Sequence, residues 1–146
     1  MARDPIPTWY FALVVVRDGD RFLLVKERKH GQGWYLPAGR VEADERLVQG
    51  AIRETLEESG VQVALDGILK IQHTPRGGTA RVRVIFAAHP VGGQAGPTED
   101  SLDAGWFTRA EAGGLRLRGR EVLDWLELAE MSDALAPLSL LGTEGA

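Results

Sequence analysis

Glu54, Glu57 and Glu58 crowd into the segment RETLEESG, at separations of three and four residues. On a helix, which advances about 100° per residue, they project from one side, within roughly 60° either way of Glu54. Like charges so placed repel and cost helix stability. Arg53 is the neighbour of Glu54 in sequence and points to a different sector of an ideal helix. A solvated charged face is the ordinary reading of such a run. The other reading is a site for a cation that offsets the repulsion. Hard oxygen ligands without thiolates select Mg²⁺, Mn²⁺ or Ca²⁺, and the chain has no cysteine.

The elements that must position these acids can be read from the pattern around them. Asp44 suits a helix N-cap and Gly60 a helix end, so a helix is expected from about residue 45 to 59. Val48, Ile52, Thr55 and Leu56 fall together on its helical wheel and are expected to pack on a sheet. Residues 10–17 and 21–26 are β-branched or apolar runs either side of a Gly19 turn and read as a hairpin. A short strand is expected at residues 34–36, ended by Pro37, with extended chain at residues 39–41. Residues 61–72 and 81–89 read as strands, with loops at 73–80 and 90–104. Residues 119–131 carry apolar positions at helical spacing. Strands interleaved with two helices define one α/β domain over residues 1–136, with 137–146 expected as a flexible tail.

Composition narrows the classes. A chain of 146 residues with 44% hydrophobic and 26% charged residues is an ordinary globular domain. A net charge of −4 argues against a general nucleic-acid-binding surface. The N-terminal apolar run is too short to span a bilayer and lacks a cleavage pattern. A cytoplasmic protein with no membrane partner is the expectation, as monomer or homodimer. No P-loop, GxGxxG or GxSxG motif is present.

Gly39, five residues, Glu45, seven residues, Arg53-Glu54, then Glu57-Glu58-Ser59-Gly60-Val61 resembles the Nudix box of the MutT-like hydrolases. Thr55 stands where that family more often has an aliphatic residue. The lead-in Gly33-Trp34-Tyr35-Leu36-Pro37-Ala38-Gly39 is similar to the family's GxWxxPxG. Residues 81–93 and 99–107 resemble the branch that acts on oxidised guanine nucleoside diphosphates. The resemblance covers residues 9 to about 130. It implies a single-domain Nudix fold, a mixed β-sheet sandwiched between helices, and hydrolysis of a nucleotide's phosphate chain with Mg²⁺ or Mn²⁺.

Residue by residue, the resemblance implies metal ligation by Glu57, Glu58 and the Gly39 carbonyl. Glu54 is implied as a ligand or as the base that takes a proton from water, and Arg53 as the residue that orients it. Glu45 is expected to support the loop. Glu99, with Asp100 as alternate, is the candidate for a further carboxylate. Trp34 and Tyr35 are candidates for stacking on a base, and Arg28 and Arg76 for contacting phosphate. His30 and His73 read as surface histidines, Trp106 and Trp125 as packing residues. The alternatives are an ADP-ribose or nucleotide-sugar pyrophosphatase, to which Pro75 is a weak pointer, and a non-catalytic nucleotide sensor. Sensors commonly lose box glutamates, and this chain keeps all three.

Overall fold

The computed structural model describes residues 3–131, 133 and 135–145; of the expected domain and tail, residues 1, 2, 132, 134 and 146 lie outside these. Seven strands form one mixed sheet: β1 (Thr8–Asp18), β2 (Arg21–Glu27), β3 (Trp34–Tyr35), β4 (Ala38–Arg40), β5 (Val61–Arg76), β6 (Thr79–Gly93) and β7 (Ser101–Thr108). Their main order is β3-β2-β1-β6-β5, with β4 on β1 and β7 on β2. The helices are α1 (Leu47–Ser59), α2 (Arg109–Gly113) and α3 (Glu121–Glu130).

The unbroken apolar run in β1 follows from burial on both sheet faces. Ala12, Val14 and Val16 point to the side covered by α1, with Leu23, Val25, Val84 and Phe86. Leu13 and Val15 point the other way, with Phe22, Leu24 and Ile85, under Val122, Trp125 and Leu126 of α3. The sheet is thus sandwiched between helices, as the resemblance implied. Trp125 is buried and Trp106 packs on the α1-side core, in the packing roles expected of them.

β1 changes neighbour along its length, and that creates the cleft. Phe11, Ala12 and Leu13 pair with Arg40, Gly39 and Ala38 of β4, whereas Arg17 and Asp18 pair with β2. Where β4 and β2 diverge, Ala38 of β4 and Glu27 at the end of β2 border one cavity.

Several boundaries depart from the sequence reading. The loop expected at 73–80 is instead the tip of a long hairpin, turned by Gly77-Gly78 with φ of 58° and 80°. Such values suit the two central residues of a primed turn. Pro75 pairs with Ala80 on an edge strand, where a missing N–H is tolerated. The second loop shrinks to residues 94–100, because β6 runs to Gly93 and β7 begins at Ser101. The short α2 has no counterpart in the sequence reading; Thr108 caps it and accepts the Glu111 N–H.

The segment expected to fray from Pro137 is held down. Ile68 and Ala136 exchange two backbone hydrogen bonds of 2.8 Å. Leu138 and Leu141 pack on the α1-side core, and the Arg46 guanidinium donates to the Leu141 carbonyl at 3.2 Å. Apolar side chains at 138 and 141, one helical turn apart, explain the docking.

Candidate active site

α1 starts at Leu47, two residues later than expected, and Asp44 does not cap it. Asp44 instead takes a positive φ of 65°, while the Arg46 N–H donates to the Gln49 side chain at 2.9 Å. The turn before the helix is built by Glu45. Its carboxylate accepts the Glu42 N–H at 3.1 Å and two bonds from Arg53, at 2.7 and 2.9 Å. Glu45 therefore has the supporting contacts expected of it, and Arg53 holds its carboxyl below the usual range.

The face of α1 against the sheet is also shifted from the reading. Ile52 and Leu56 are 41% and 42% exposed. Of the expected face Val48 and Thr55 do pack inward, and the buried contact is completed by Gly50, Ala51 and Ser59, with Glu58 beside them. Small residues let the helix lie close to the sheet, and the close approach rotates the acids inward. Thr55 is fully buried, and its hydroxyl is satisfied by the Ala51 carbonyl at 2.8 Å.

Glu58 is 9% exposed. Its Oε1 accepts the Ala38 N–H at 2.8 Å, and its backbone carbonyl accepts the Ser101 hydroxyl. Burial, opposed by that one N–H and reinforced by the negative charges of Glu54, Glu27 and Asp100, pushes the Glu58 carboxyl up to about 8. Burial also raises Glu54, against the pull of Arg53. At neutral pH such a cluster favours uptake of a proton or a cation.

Arg53 is nearer to this cluster than an ideal helical wheel suggested. It donates to Glu54 Oε1 at 3.0 Å and to Glu57 Oε2 at 3.1 Å. The second is an i,i+4 ion pair on the helix surface. As the side chains stand, no three acids among the described residues converge into one cation-sized cluster. Arg53 spans Glu54 and Glu57, and Ala38 holds Glu58.

Gly39 has a reason to be glycine. A Cβ there would sit 2.1 Å from the Glu54 Cδ and 2.3 Å from its Oε1, so β4 passes directly against that carboxylate. Gly39→Ala is expected to push Glu54 aside and lower kcat by more than about tenfold while the protein stays folded. Steady-state kinetics beside a melting curve checks this.

A cavity of about 400 Å³ opens between Glu27, Arg28, Lys29, His30, Ala38, Glu54, Glu58, Glu99 and Asp100. Glu99 and Asp100 both reach it, but Asp100 is the one whose charge acts on Glu54 and Glu58. Arg28 donates to the Thr98 and Glu99 carbonyls, each at 3.1 Å. It clips the acidic loop over the helix, which a reading of Arg28 as a solvated or phosphate-binding loop residue did not foresee. Glu27, half-buried and ion-paired with Arg118 at 3.0 Å, was missed. Its place at the end of an apolar strand gave no chemical signal. His30 is exposed, as expected of a surface histidine, and borders the cavity with a φ of 55°.

Three candidates are placed elsewhere. Trp34 packs edge-on against Phe107, with centroids 5.1 Å apart. Tyr35 is buried against Trp125, and the Arg118 guanidinium lies 4.7 Å over its ring. Tyr35 is buried and has no free face for stacking on a base, and Trp34 does not line this cavity. Arg76 sits at the exposed tip of the β5–β6 hairpin and does not line this cavity.

The raised Glu58 carboxyl makes stability pH-dependent. The folded state binds this proton more tightly than the unfolded chain, so the contribution of Glu58 to stability is fully present below pH about 4.5 and is lost as pH rises towards 8. Without divalent cation, the melting temperature is expected to fall by about 5–10 °C between pH 5 and pH 8.5. Glu58→Gln should flatten that dependence; calorimetry in chelator checks it.

Residues 8–126 match the NUDIX domain model, and the chain belongs to the Nudix family. It is 34% identical over 135 residues to the 8-oxo-dGDP phosphatase NUDT18 of Mus musculus, covering 87% of this chain and 41% of that protein. A MutT-like protein of Streptomyces ambofaciens is 33% identical, with 73% of this chain and 68% of the relative covered. Among solved structures, a NUDIX hydrolase from Nitrosomonas europaea superposes with a TM-score of 0.77 at 25% identity, covering 95% and 99% of the two chains.

Proposed function

We propose that this chain is a divalent-metal-dependent hydrolase that cleaves the phosphate chain of a nucleotide, with a purine preferred. The observation that carries it is that Glu54, Glu58 and Asp100 line one cavity, with burial raising the first two. The donor set fits Mg²⁺ or Mn²⁺: it is all oxygen, and Glu58 has a single N–H partner in a surround of other acids. Glu57, Glu58 and the Gly39 carbonyl are the ligands in this reading, with Asp100 preferred to Glu99 as the acid from the loop. When bound, the cation offsets phosphate charge and makes a water more acidic. Glu54 takes the proton as the water oxygen bonds to phosphorus and the bridging oxygen leaves with its electron pair. Arg53 holds Glu54 in line through the 3.0 Å contact and is itself fixed by Glu45. Retention of Glu54, Glu57 and Glu58 favours an enzyme over a sensor.

The names of the relatives support the nucleotide reading, and the oxidised guanine diphosphate is the specific expectation. Comparing kcat/KM for 8-oxo-dGDP, dGDP, CDP and ADP-ribose tests it: the first two should lead. Highest efficiency on ADP-ribose would reverse the substrate assignment. A capped RNA end is the second reading, because a relative in Photobacterium profundum, 34% identical over 73% of this chain, is named NAD-capped RNA hydrolase.

A further inference from the structure

Beyond the acidic cavity lies a second one of about 440 Å³, and a third of about 500 Å³ lies beyond that. The first and second share Glu27, His30 and Ala38; the second and third share Arg81 and Arg83. The three make one trough. Its chemistry reverses along the way, from clustered carboxylates at α1 to a far end lined by Gln72, His73, Thr74, Arg81 and Arg83. No acid lines that far end.

The two guanidiniums are set in place without carboxylates. Arg83 donates to the Gln72 side-chain oxygen at 2.8 Å and to the Tyr35 hydroxyl at 3.3 Å, and lies 5.2 Å over the Trp125 ring. Arg81 lies 4.8 Å over the Phe11 ring. Among the described residues, neither forms an ion pair with an acid. They stand two residues apart on β6, on the same side of the sheet. In a chain of net charge −4, two adjacent cations held by aromatic rings and lacking carboxylate partners suit an anion supplied by the ligand. Held guanidiniums are the group best suited to binding a phosphate.

We propose that Gln72, Thr74, Arg81 and Arg83 bind a second phosphate of the substrate, one carried beyond the diphosphate that is cleaved. This rests on the nucleotide-hydrolase reading and narrows it to nucleotides bearing a further phosphate monoester or phosphodiester. Two sources share that chemistry: a free nucleotide with an additional phosphate, and the 5′ end of a nucleic-acid strand.

The test compares kcat/KM for GDP, for guanosine 5′-diphosphate 3′-monophosphate, and for a single-stranded oligonucleotide beginning with a 5′-diphosphate guanosine. The added phosphate should raise kcat/KM by at least about tenfold, the order expected of charge-assisted hydrogen bonds. The gain should appear in KM. Arg81→Gln and Arg83→Gln should bring the ratio to about one, and Arg81→Lys should restore part of it; melting curves establish that each variant is folded. A gain for the bisphosphate alone identifies a free nucleotide, and a larger gain for the oligonucleotide identifies a strand end. No gain with either, or a gain that survives in both glutamine variants, overturns the proposal. Calorimetric binding of guanosine 3′,5′-bisphosphate against GMP keeps the two readings apart. Preference for the bisphosphate without hydrolysis of any nucleotide leaves this subsite standing and removes the hydrolase. Hydrolysis without that preference does the reverse.

Discussion

Glu58→Gln is expected to lower turnover by about 10²–10³-fold, equivalent to the several kcal/mol that a bound metal contributes to phosphoryl transfer. The substitution keeps shape and the Ala38 N–H contact, because an amide oxygen still accepts it. It removes the charge that burial and the acids of Glu54, Glu27 and Asp100 oppose. Without cation, the variant should therefore melt higher than the parent above pH 7, while losing most Mg²⁺-induced stabilisation. Activity and stability moving in opposite directions separates a ligand from a structural acid. A variant that instead melted lower in chelator would make Glu58 a packing residue.

The second large effect is expected at Glu54. Glu54→Gln should reduce kcat by about 10²–10⁴-fold, the range of general base catalysis, with a much smaller change in substrate affinity. Glu54 is suited to that role by position: β4 runs against its carboxylate at Gly39, and Arg53 fixes one oxygen. Metal affinity measured beside kcat separates a ligand from a base. Near-normal kcat would move the base to Asp100 or Glu99. Arg53→Lys is expected to be milder but not neutral, because an ammonium cannot span Glu45 in a fork while reaching Glu54 and Glu57.

The helix, its Gly60 end and its acids were legible because they are local. Separations of three and four set a helical stripe, and the fixed spacing from Gly39 to Val61 names the loop–helix unit. The sheet sandwiched between helices was implied by the resemblance that the Gly39–Val61 spacing carries, and the unbroken apolar run of β1 agrees with its burial on both faces. What stayed hidden depends on the approach of distant elements. The buried face of α1 could not be chosen from hydrophobicity, since the close contact selects Ala51, Thr55 and Ser59 over Ile52 and Leu56. Glu27 joins the cluster through the β2–β7 pairing, and that pairing, with the loop that precedes β7, decides between Asp100 and Glu99; no local pattern encodes either. Trp34 and Tyr35 show the converse: the residue types suit stacking on a base, and Phe107, Trp125 and Arg118 cover the rings.

The central claim is that these carboxylates serve metal-dependent cleavage of a nucleotide's phosphate chain. The most direct measurement follows 8-oxo-dGDP and dGDP with the purified chain, in Mg²⁺ and in excess chelator, with the products identified. The account predicts release of nucleoside monophosphate and phosphate in Mg²⁺, none in chelator, and recovery when Mg²⁺ is restored. Undiminished cleavage in chelator, or no cleavage of either nucleotide in Mg²⁺, would contradict it.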